Sequence, residues 1–143
     1  MDHRGRDGPS FHRWDPLDIA FLALIGDISG HDMQRLIEVT LLSVAGRSYV
    51  LGLIDFTRVG TISPEARMIA RTSASHFPMR GTAIFGGGFH HRVLALLVNK
   101  AASLLKKDHQ PIAFFATEEE ARAWLDERRE VVLAKERTAG RVP

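Results

Sequence analysis

Four short runs of apolar residues, separated by segments with helical spacing, constrain the fold of this chain more than any other feature. The runs are IAFLALIG at 19–26, YVLGLIDF at 49–56, GTAIFGG at 81–87 and PIAFFA at 111–116. Each run is nearly continuous rather than alternating, which is the pattern of a strand whose two faces are both covered. Buried strands that alternate with helices predict a largely parallel sheet in an α/β domain.

Helix signals fill the intervals between these strands. Serine or threonine caps followed by acidic residues mark helix starts, and glycine or proline marks the ends. The predicted helices cover 29–46, 63–77, 90–107 and a last stretch that begins at 117. These spans predict about four helices around the sheet.

An additional strand, SFHRW at 10–14, precedes the turn at Asp15-Pro16 and leads tightly into the strand at 19–26. So short a connection predicts an antiparallel N-terminal hairpin. The fold class is therefore α/β, with a mixed, mostly parallel five-stranded sheet in a single domain at 10–135. We expect mobile tails at 1–9 and 136–143, because both ends mix charge with Gly or Pro and offer little to bury.

Composition excludes several classes of function. The chain has 143 residues, no cysteine and a formal net charge of +2. Without cysteine there is no disulfide, cysteine nucleophile or thiolate metal site, which fits a reducing interior. The small net charge argues against nucleic acid as a partner. No apolar run approaches the roughly 18 residues of a membrane span, and the charged start lacks a secretory signal, so we expect a cytoplasmic protein.

Three stretches together resemble the SpoIIAA-like branch of the STAS domains, the family of anti-sigma-factor antagonists and of the cytoplasmic ends of sulphate transporters. They are LGLIDFTRVGTISPEAR, RGTAIFGGGFHHRVLALLVNKAASLL and PIAFFATEEEARAWLDE, and WDPLDIAFLALIGDISGHDM resembles the opening of the family. The resemblance covers about residues 10–130. It implies a STAS-like fold related to SEC14-type lipid-binding folds. It also implies a binding or regulatory role without turnover.

The resemblance also implies one candidate phosphoacceptor. In anti-sigma antagonists the phosphorylated serine opens the helix after the aspartate-ended strand, and Ser63 stands at that position, with Thr57 and Thr61 nearby. Pro64 and Glu65 depart from the antagonist pattern. A serine at a helix start is also an ordinary N-cap, so Ser63 is either a phosphoacceptor or only a cap.

The strand-to-helix turn FGGGFHHR is a candidate anion site. The amides of Gly86, Gly87 and Gly88, with Arg92, are suited to an anionic group at a helix start. A tight turn between strand and helix is the simpler interpretation, since no nucleotide-binding fingerprint is present. His90 and His91 point about 100° apart on a helix, and the other histidines are scattered, so we expect no metal and no cofactor.

The predicted helix at 91–107 carries more apolar surface than docking on a sheet requires. Its apolar side chains cover an arc of roughly 200°, whereas a surface helix needs only about 100°. We expect Leu94, Leu97 and Val98 to line a binding pocket or face between this helix and the predicted helix at 63–77. Alternatively, a neighbouring helix, a second subunit or a membrane surface covers this apolar arc. Lys100, Lys106 and Lys107 favour peripheral contact with a membrane.

These observations predict a non-enzymatic binding or regulatory module for an apolar, lipid-like ligand or a protein partner. A homodimer is compatible with the extra apolar surface. The alternative function is a phospho-regulated protein–protein switch that uses Ser63. An enzyme that uses Asp55 or the histidines is the third hypothesis, and the absence of paired catalytic residues in the sequence argues against it.

Overall fold

A single sheet with helices on both faces organises the protein in a computed structural model, which describes residues 2–4, 10–15, 18–73, 79–90, 93 and 112–138. The strands are β1 (Asp2–Arg4), β2 (Phe11–Asp15), β3 (Ile19–Ile28), β4 (Val50–Ile62), β5 (Met79–Phe85) and β6 (Ile112–Phe115). The helices are α1 (Gly30–Val44), α2 (Pro64–Ser73) and α3 (Glu118–Thr138). Within the described ranges, no helix is both long and apolar enough to cross a bilayer.

The strands lie side by side in the order β1-β2-β3-β4-β5-β6. The pairs β1–β2 and β2–β3 are antiparallel, and the pairs from β3 to β6 are parallel. The predicted fold class, with its antiparallel N-terminal hairpin, is confirmed. The sheet has one strand more than the five predicted, because Asp2–Arg4 pairs with β2.

Two differences from the predicted boundaries concern the helices and the chain ends. Three helices have defined bounds among the described residues. The predicted helix at 91–107 lies outside those residues except for Val93, which is helical, as are Phe89 and His90. α3 continues to Thr138, past the predicted domain limit at 135. The domain limits and the mobile tails stay predictions.

Each face of the sheet packs against its own helices, as the continuous apolar runs predicted. One cluster joins alternate residues of the central strands to α3 and includes Phe21, Leu53 and Phe85 with Leu125. The second cluster joins the opposite face to α1 and α2, and includes Ile84 and Leu36. Since successive side chains of a strand point to opposite faces, near-continuous apolar runs supply both clusters.

The predicted helix caps form. Ser29 and Asp32 make a reciprocal capping box at the start of α1. Ser63 Oγ accepts a hydrogen bond from the backbone N–H of Ala66 at 3.0 Å, and Thr117 Oγ1 accepts one from the N–H of Glu120 at 3.2 Å. These caps satisfy backbone donors that the first turn of a helix leaves unpaired. The starts of α1 and α2 follow the ends of β3 and β4, so they lie at the carboxyl edge of the parallel strands.

Candidate functional site

The carboxyl edge of the parallel strands is uneven, because β4 extends well beyond β5. β4 pairs with β5 only as far as Asp55 opposite Phe85, whereas it stays paired with β3 as far as Ile62 opposite Ile28. Among the strands that the structure describes, residues 56–62, the β4 extension, therefore pair on one side only. Ligands of open α/β sheets bind outside the carboxyl ends of the strands, and the β4 extension lies at this edge.

Two aspartates hold the backbone around the β4 extension. Asp55 Oδ1 accepts hydrogen bonds from the backbone N–H and the hydroxyl of Thr57, at 2.8 Å and 2.6 Å. Asp27, at the end of β3, accepts the N–H and hydroxyl of Thr61 at 2.9 Å and 3.0 Å. Hydrogen bonds from Thr61, first from its backbone N–H and then from its hydroxyl, hold the pKa of Asp27 below its usual range. Both carboxylates thus serve the local backbone structure.

The glycine turn after β5 lies directly against the β4 extension. Gly86 and Gly87 have φ angles of +77° and +72°, a region that side chains disfavour. A Cβ on Gly86 would lie 2.6 Å from Thr57 Cγ2 and 2.9 Å from Thr57 N. Glycine is therefore required at 86 by both conformation and close approach. This fits the tight-turn interpretation, and it leaves the anion-binding role of the Gly86–Gly88 amides a prediction.

Phe89 is the residue at this edge that sequence reasoning missed. Its side chain is 82% exposed, the most exposed large hydrophobic among the described residues. It stands immediately after the glycine turn, at the first helical residue. A signal was available in the sequence, because an aromatic residue that follows three glycines has few neighbours in the chain to cover it. Exposure itself depends on the tertiary structure, so the pattern alone could not establish it.

Ser63 lies where the β4 extension passes into α2. Its backbone N–H donates to the carbonyl of Ile28 at 3.0 Å, which ties the start of α2 to the end of β3. Its hydroxyl oxygen caps α2 and the residue is half-buried. The nearby hydroxyls of Thr57 and Thr61 are bonded to aspartates. The capping role of Ser63 is confirmed, and its phosphorylation stays a prediction.

The structure describes only some of the remaining predicted site residues. Gly86, Gly87 and Gly88 lie at the carboxyl edge, whereas Arg92, Leu94, Leu97 and Val98 lie outside the described residues. The part of the chain that the structure describes has no group of three or more His, Asp or Glu side chains placed to hold a metal ion. Asp55, the candidate catalytic base, is bonded to Thr57 and has Arg58 at 3.8 Å. No second acid or base is paired with it among these contacts.

Comparison with known proteins gives a consistent result. The SpoIIAA-like family model matches residues 19–126. A solved structure with 17% identity and a TM-score of 0.59 covers 87% of this chain and 95% of its own. That structure is of an uncharacterised protein from the DUF3478 family with a SpoIIAA-like fold, from Shewanella loihica PV-4. No curated protein matches the chain.

The match covers most of the domain, from the start of β3 into α3, and includes the β4 extension and the glycine turn. The solved structure supports the same fold over nearly its whole length. A SpoIIAA-like fold is that of a STAS-type regulatory or binding domain. The chain belongs to the SpoIIAA-like family.

Proposed function

We propose that this protein is a non-enzymatic binding or regulatory module that receives an apolar, lipid-like ligand or a protein partner at the carboxyl edge of its sheet. The observation that carries the proposal is Phe89, which is 82% exposed beside the turn at Gly86–Gly88. Leaving a large aromatic ring in water forgoes about 2 kcal/mol of burial, which binding would recover. Aromatic side chains are enriched at the cores of protein interfaces, which suits Phe89 to such a role.

The different lengths of β4 and β5 at the carboxyl edge also support binding at this edge. The β4 extension lies at this edge, and the glycine turn approaches it at Thr57. The amides of Gly86–Gly88 and the side chain of Arg92 would meet an anionic end of the ligand, and Leu94, Leu97 and Val98 would line the apolar part. The two aspartates at this edge bind backbone and hydroxyl groups, which supports a binding role over acid–base catalysis.

Uptake of a fluorescent fatty acid tests the proposed apolar pocket at Leu94, Leu97 and Val98. Leu94→Asn, Leu97→Asn and Val98→Thr should each weaken uptake about tenfold or more, because a polar group would be placed against the apolar chain. Leu42→Asn is the matched control, since Leu42 is 80% exposed on α1. Unchanged uptake by folded variants at all three positions would refute the pocket.

A second candidate function is a phospho-regulated protein–protein switch. It is favoured by Ser63, whose hydroxyl caps the first turn of α2. A phosphate there would lie at the positive end of the helix and add nearly two negative charges to a docking face. Pro64 and Glu65 distinguish this start from the antagonist pattern, so the carrier or partner-binding function is preferred.

Ser63→Asp tests the switch in pull-downs from the source cells. Aspartate is itself a good N-cap, so the variant should stay folded while it places a negative charge at the start of α2. The switch predicts that this variant loses a partner that the wild type retains. Ser29→Asp, at the cap of α1, is the control for an added charge at a capping serine. Equal recovery of partners by wild type and Ser63→Asp would mean that Ser63 is only a cap.

A further inference from the structure

A β-bulge interrupts the pairing of β4 with β5 at the amino edge of the sheet, where the parallel strands begin. Between positions 50 and 52, β4 advances by two residues, whereas the paired step in β5, from Met79 to Thr82, advances by three. Arg80 and Gly81 therefore share the place opposite Leu51, which belongs to the cluster beneath α3. Bulges are rare between parallel strands, and a bulge can re-aim a side chain. This bulge turns Arg80 and Gly81 together toward the α3 face of the sheet.

Arg128 of α3 packs directly on the bulge. An added Cβ on Gly81 would lie 3.4 Å from Arg128 Cγ and 3.5 Å from Arg128 Nε, so the arginine side chain lies where glycine leaves room. Arg128 Nη2 donates to the carbonyl of Arg80 at 3.2 Å, and Arg80 Nη1 donates to the carbonyl of Met79 at 3.3 Å. Two consecutive carbonyls thus hold both guanidinium groups at the start of β5. We call Arg80 and Arg128 the amino-edge arginine pair.

Neither arginine of the pair has a carboxylate partner within the part of the chain that the structure describes. The adjacent Arg129, in contrast, pairs with Asp18 at 2.8 Å. Arg80 and Arg128 are both half-buried, and Arg128 Nε is buried without a hydrogen-bond partner among the described residues. Buried polar groups are nearly always hydrogen-bonded, and a partly desolvated charge attracts an opposite charge more strongly than an exposed one does. These arginines therefore carry positive charge that the fold does not compensate.

We propose that the amino-edge arginine pair binds a phosphate group. A phosphate group carries up to two negative charges near neutral pH, so one group can neutralise both arginines, whereas a carboxylate neutralises only one. The planar guanidinium group matches phosphate oxygens with two parallel hydrogen bonds. The bonds to the carbonyls of Met79 and Arg80 hold the side chains before a ligand arrives, which lowers the entropic cost of binding.

The amino-edge arginine pair is separate from the edge that carries the proposed function. β5 runs from Met79 to Phe85, so the pair lies about 20 Å from the glycine turn at the rise of a parallel strand. A phosphate-bearing ligand would bind here whether or not an apolar ligand or a partner occupies the carboxyl edge. The inference goes beyond the proposed function and does not depend on Phe89.

Titration with inorganic phosphate, followed by proton–nitrogen correlation spectra of the arginine Nε–H groups, tests the proposal. At constant ionic strength, the Nε–H signals of Arg80 and Arg128 should shift and reach saturation. Arg80→Gln and Arg128→Gln should each weaken binding about tenfold or more, because each removes charge-assisted hydrogen bonds. Arg71→Gln is the matched control, since it makes the same change of charge at an exposed position on α2, and it should bind like the wild type. Circular dichroism checks that each variant is folded.

Two further probes distinguish the sources of the phosphate group. Phenyl phosphate represents a small phosphomonoester, and a phosphoserine peptide represents a phosphorylated protein. Saturation at a lower concentration of phenyl phosphate assigns the site to a small molecule, and saturation at a lower concentration of the peptide assigns it to a protein. Either result supports the site.

Three outcomes would overturn the proposal. The first is the absence of a saturable shift of both signals with inorganic phosphate. The second is an equal shift with chloride at the same ionic strength, which would indicate general screening. The third is equal weakening in Arg71→Gln and in the two variants of the pair, which would indicate attraction by net charge. Phosphate binding by a protein that retains no apolar molecule or partner would support this inference and argue against the proposed function.

Discussion

Gly86→Ala should lower the free energy of unfolding by about 3 kcal/mol. Gly86 has a φ angle of +77°, and an alanine in this region costs about 1–2 kcal/mol. The new methyl group would also lie 2.6 Å from Thr57 Cγ2 and 2.9 Å from Thr57 N, so β5 or the β4 extension must shift. Overpacking of this kind adds about 1–3 kcal/mol. Urea unfolding followed by circular dichroism measures the change.

Substitutions at three other glycines separate the cost of the backbone conformation from the cost of close packing. Gly46 has a φ angle of +83° with nothing within 4 Å of an added Cβ, so Gly46→Ala should cost about 1 kcal/mol from conformation alone. At Gly60, an added Cβ would overlap Asp27 Oδ1, so Gly60→Ala tests close approach to a side chain. Gly88→Ala meets nothing and should change stability by less than about 0.5 kcal/mol. A Gly86→Ala variant as stable as Gly88→Ala would contradict the packing of the turn against β4.

Asp18→Asn should destabilise the protein by about 3–5 kcal/mol, because Asp18 anchors α3 to the start of β3. The carboxylate receives Arg129 Nη2 at 2.8 Å and Nε at 2.9 Å, and the Tyr49 hydroxyl donates to it at 2.7 Å. Its side chain is only 8% exposed, and that of Arg129 16%. Removing one partner of a buried pair leaves the other charge uncompensated, which has a cost of this size.

Asp126→Asn is the matched control for the same arginine. Asp126 Oδ1 accepts from Arg129 Nη1 at 2.7 Å, but its side chain is 68% exposed. Exposed ion pairs contribute about 0–1 kcal/mol, so this variant should stay close to the wild type. Equal effects of Asp18→Asn and Asp126→Asn in denaturant unfolding would mean that burial does not strengthen the Arg129 pair.

The pH dependence of stability should also reveal the ion pair of Asp18 with Arg129. Burial opposes the charged form of Asp18, but hydrogen bonds from Arg129 and Tyr49 outweigh it and lower the pKa of Asp18 below 3.8. Burial, with the bond to Asp18, raises the pKa of Tyr49 to about 12. Since the folded pKa of Asp18 is depressed, its contribution is complete above the unfolded pKa and is lost as the pH falls through the folded pKa. The difference between wild type and Asp18→Asn should therefore shrink below about pH 4.

Local signals predicted most of the fold. The strand cores at 19–26, 49–56, 81–87 and 111–116 and the caps at Ser29, Ser63 and Thr117 depend on neighbouring residues in the chain. The β4 extension was not predicted as strand. Thr57, Arg58 and Gly60 have a weak strand pattern, and pairing with the end of β3 determines their conformation. Strand β1 was missed for the same reason, since only its pairing with β2 makes it a strand.

The candidate site was predicted less completely than the fold. The glycine turn and Ser63 were recognised, because glycines and capping residues have local signatures. The contact of Gly86 with Thr57 and the exposure of Phe89 arise only when distant segments meet. The pair of Asp18 and Arg129 joins residues 111 positions apart, so no periodicity reveals it. Contacts of this kind follow from topology and strand register rather than from the local sequence pattern.

Native mass spectrometry of the protein as purified from cells tests the binding role most directly. The chain alone accounts for 15.9 kDa per copy, so a retained molecule appears as added mass. We expect a bound apolar molecule of lipid mass or a bound partner, and loss of that mass in Phe89→Ser but not in Leu42→Ser. A bare chain, whether monomer or dimer, under conditions that preserve non-covalent complexes would contradict the proposed binding module.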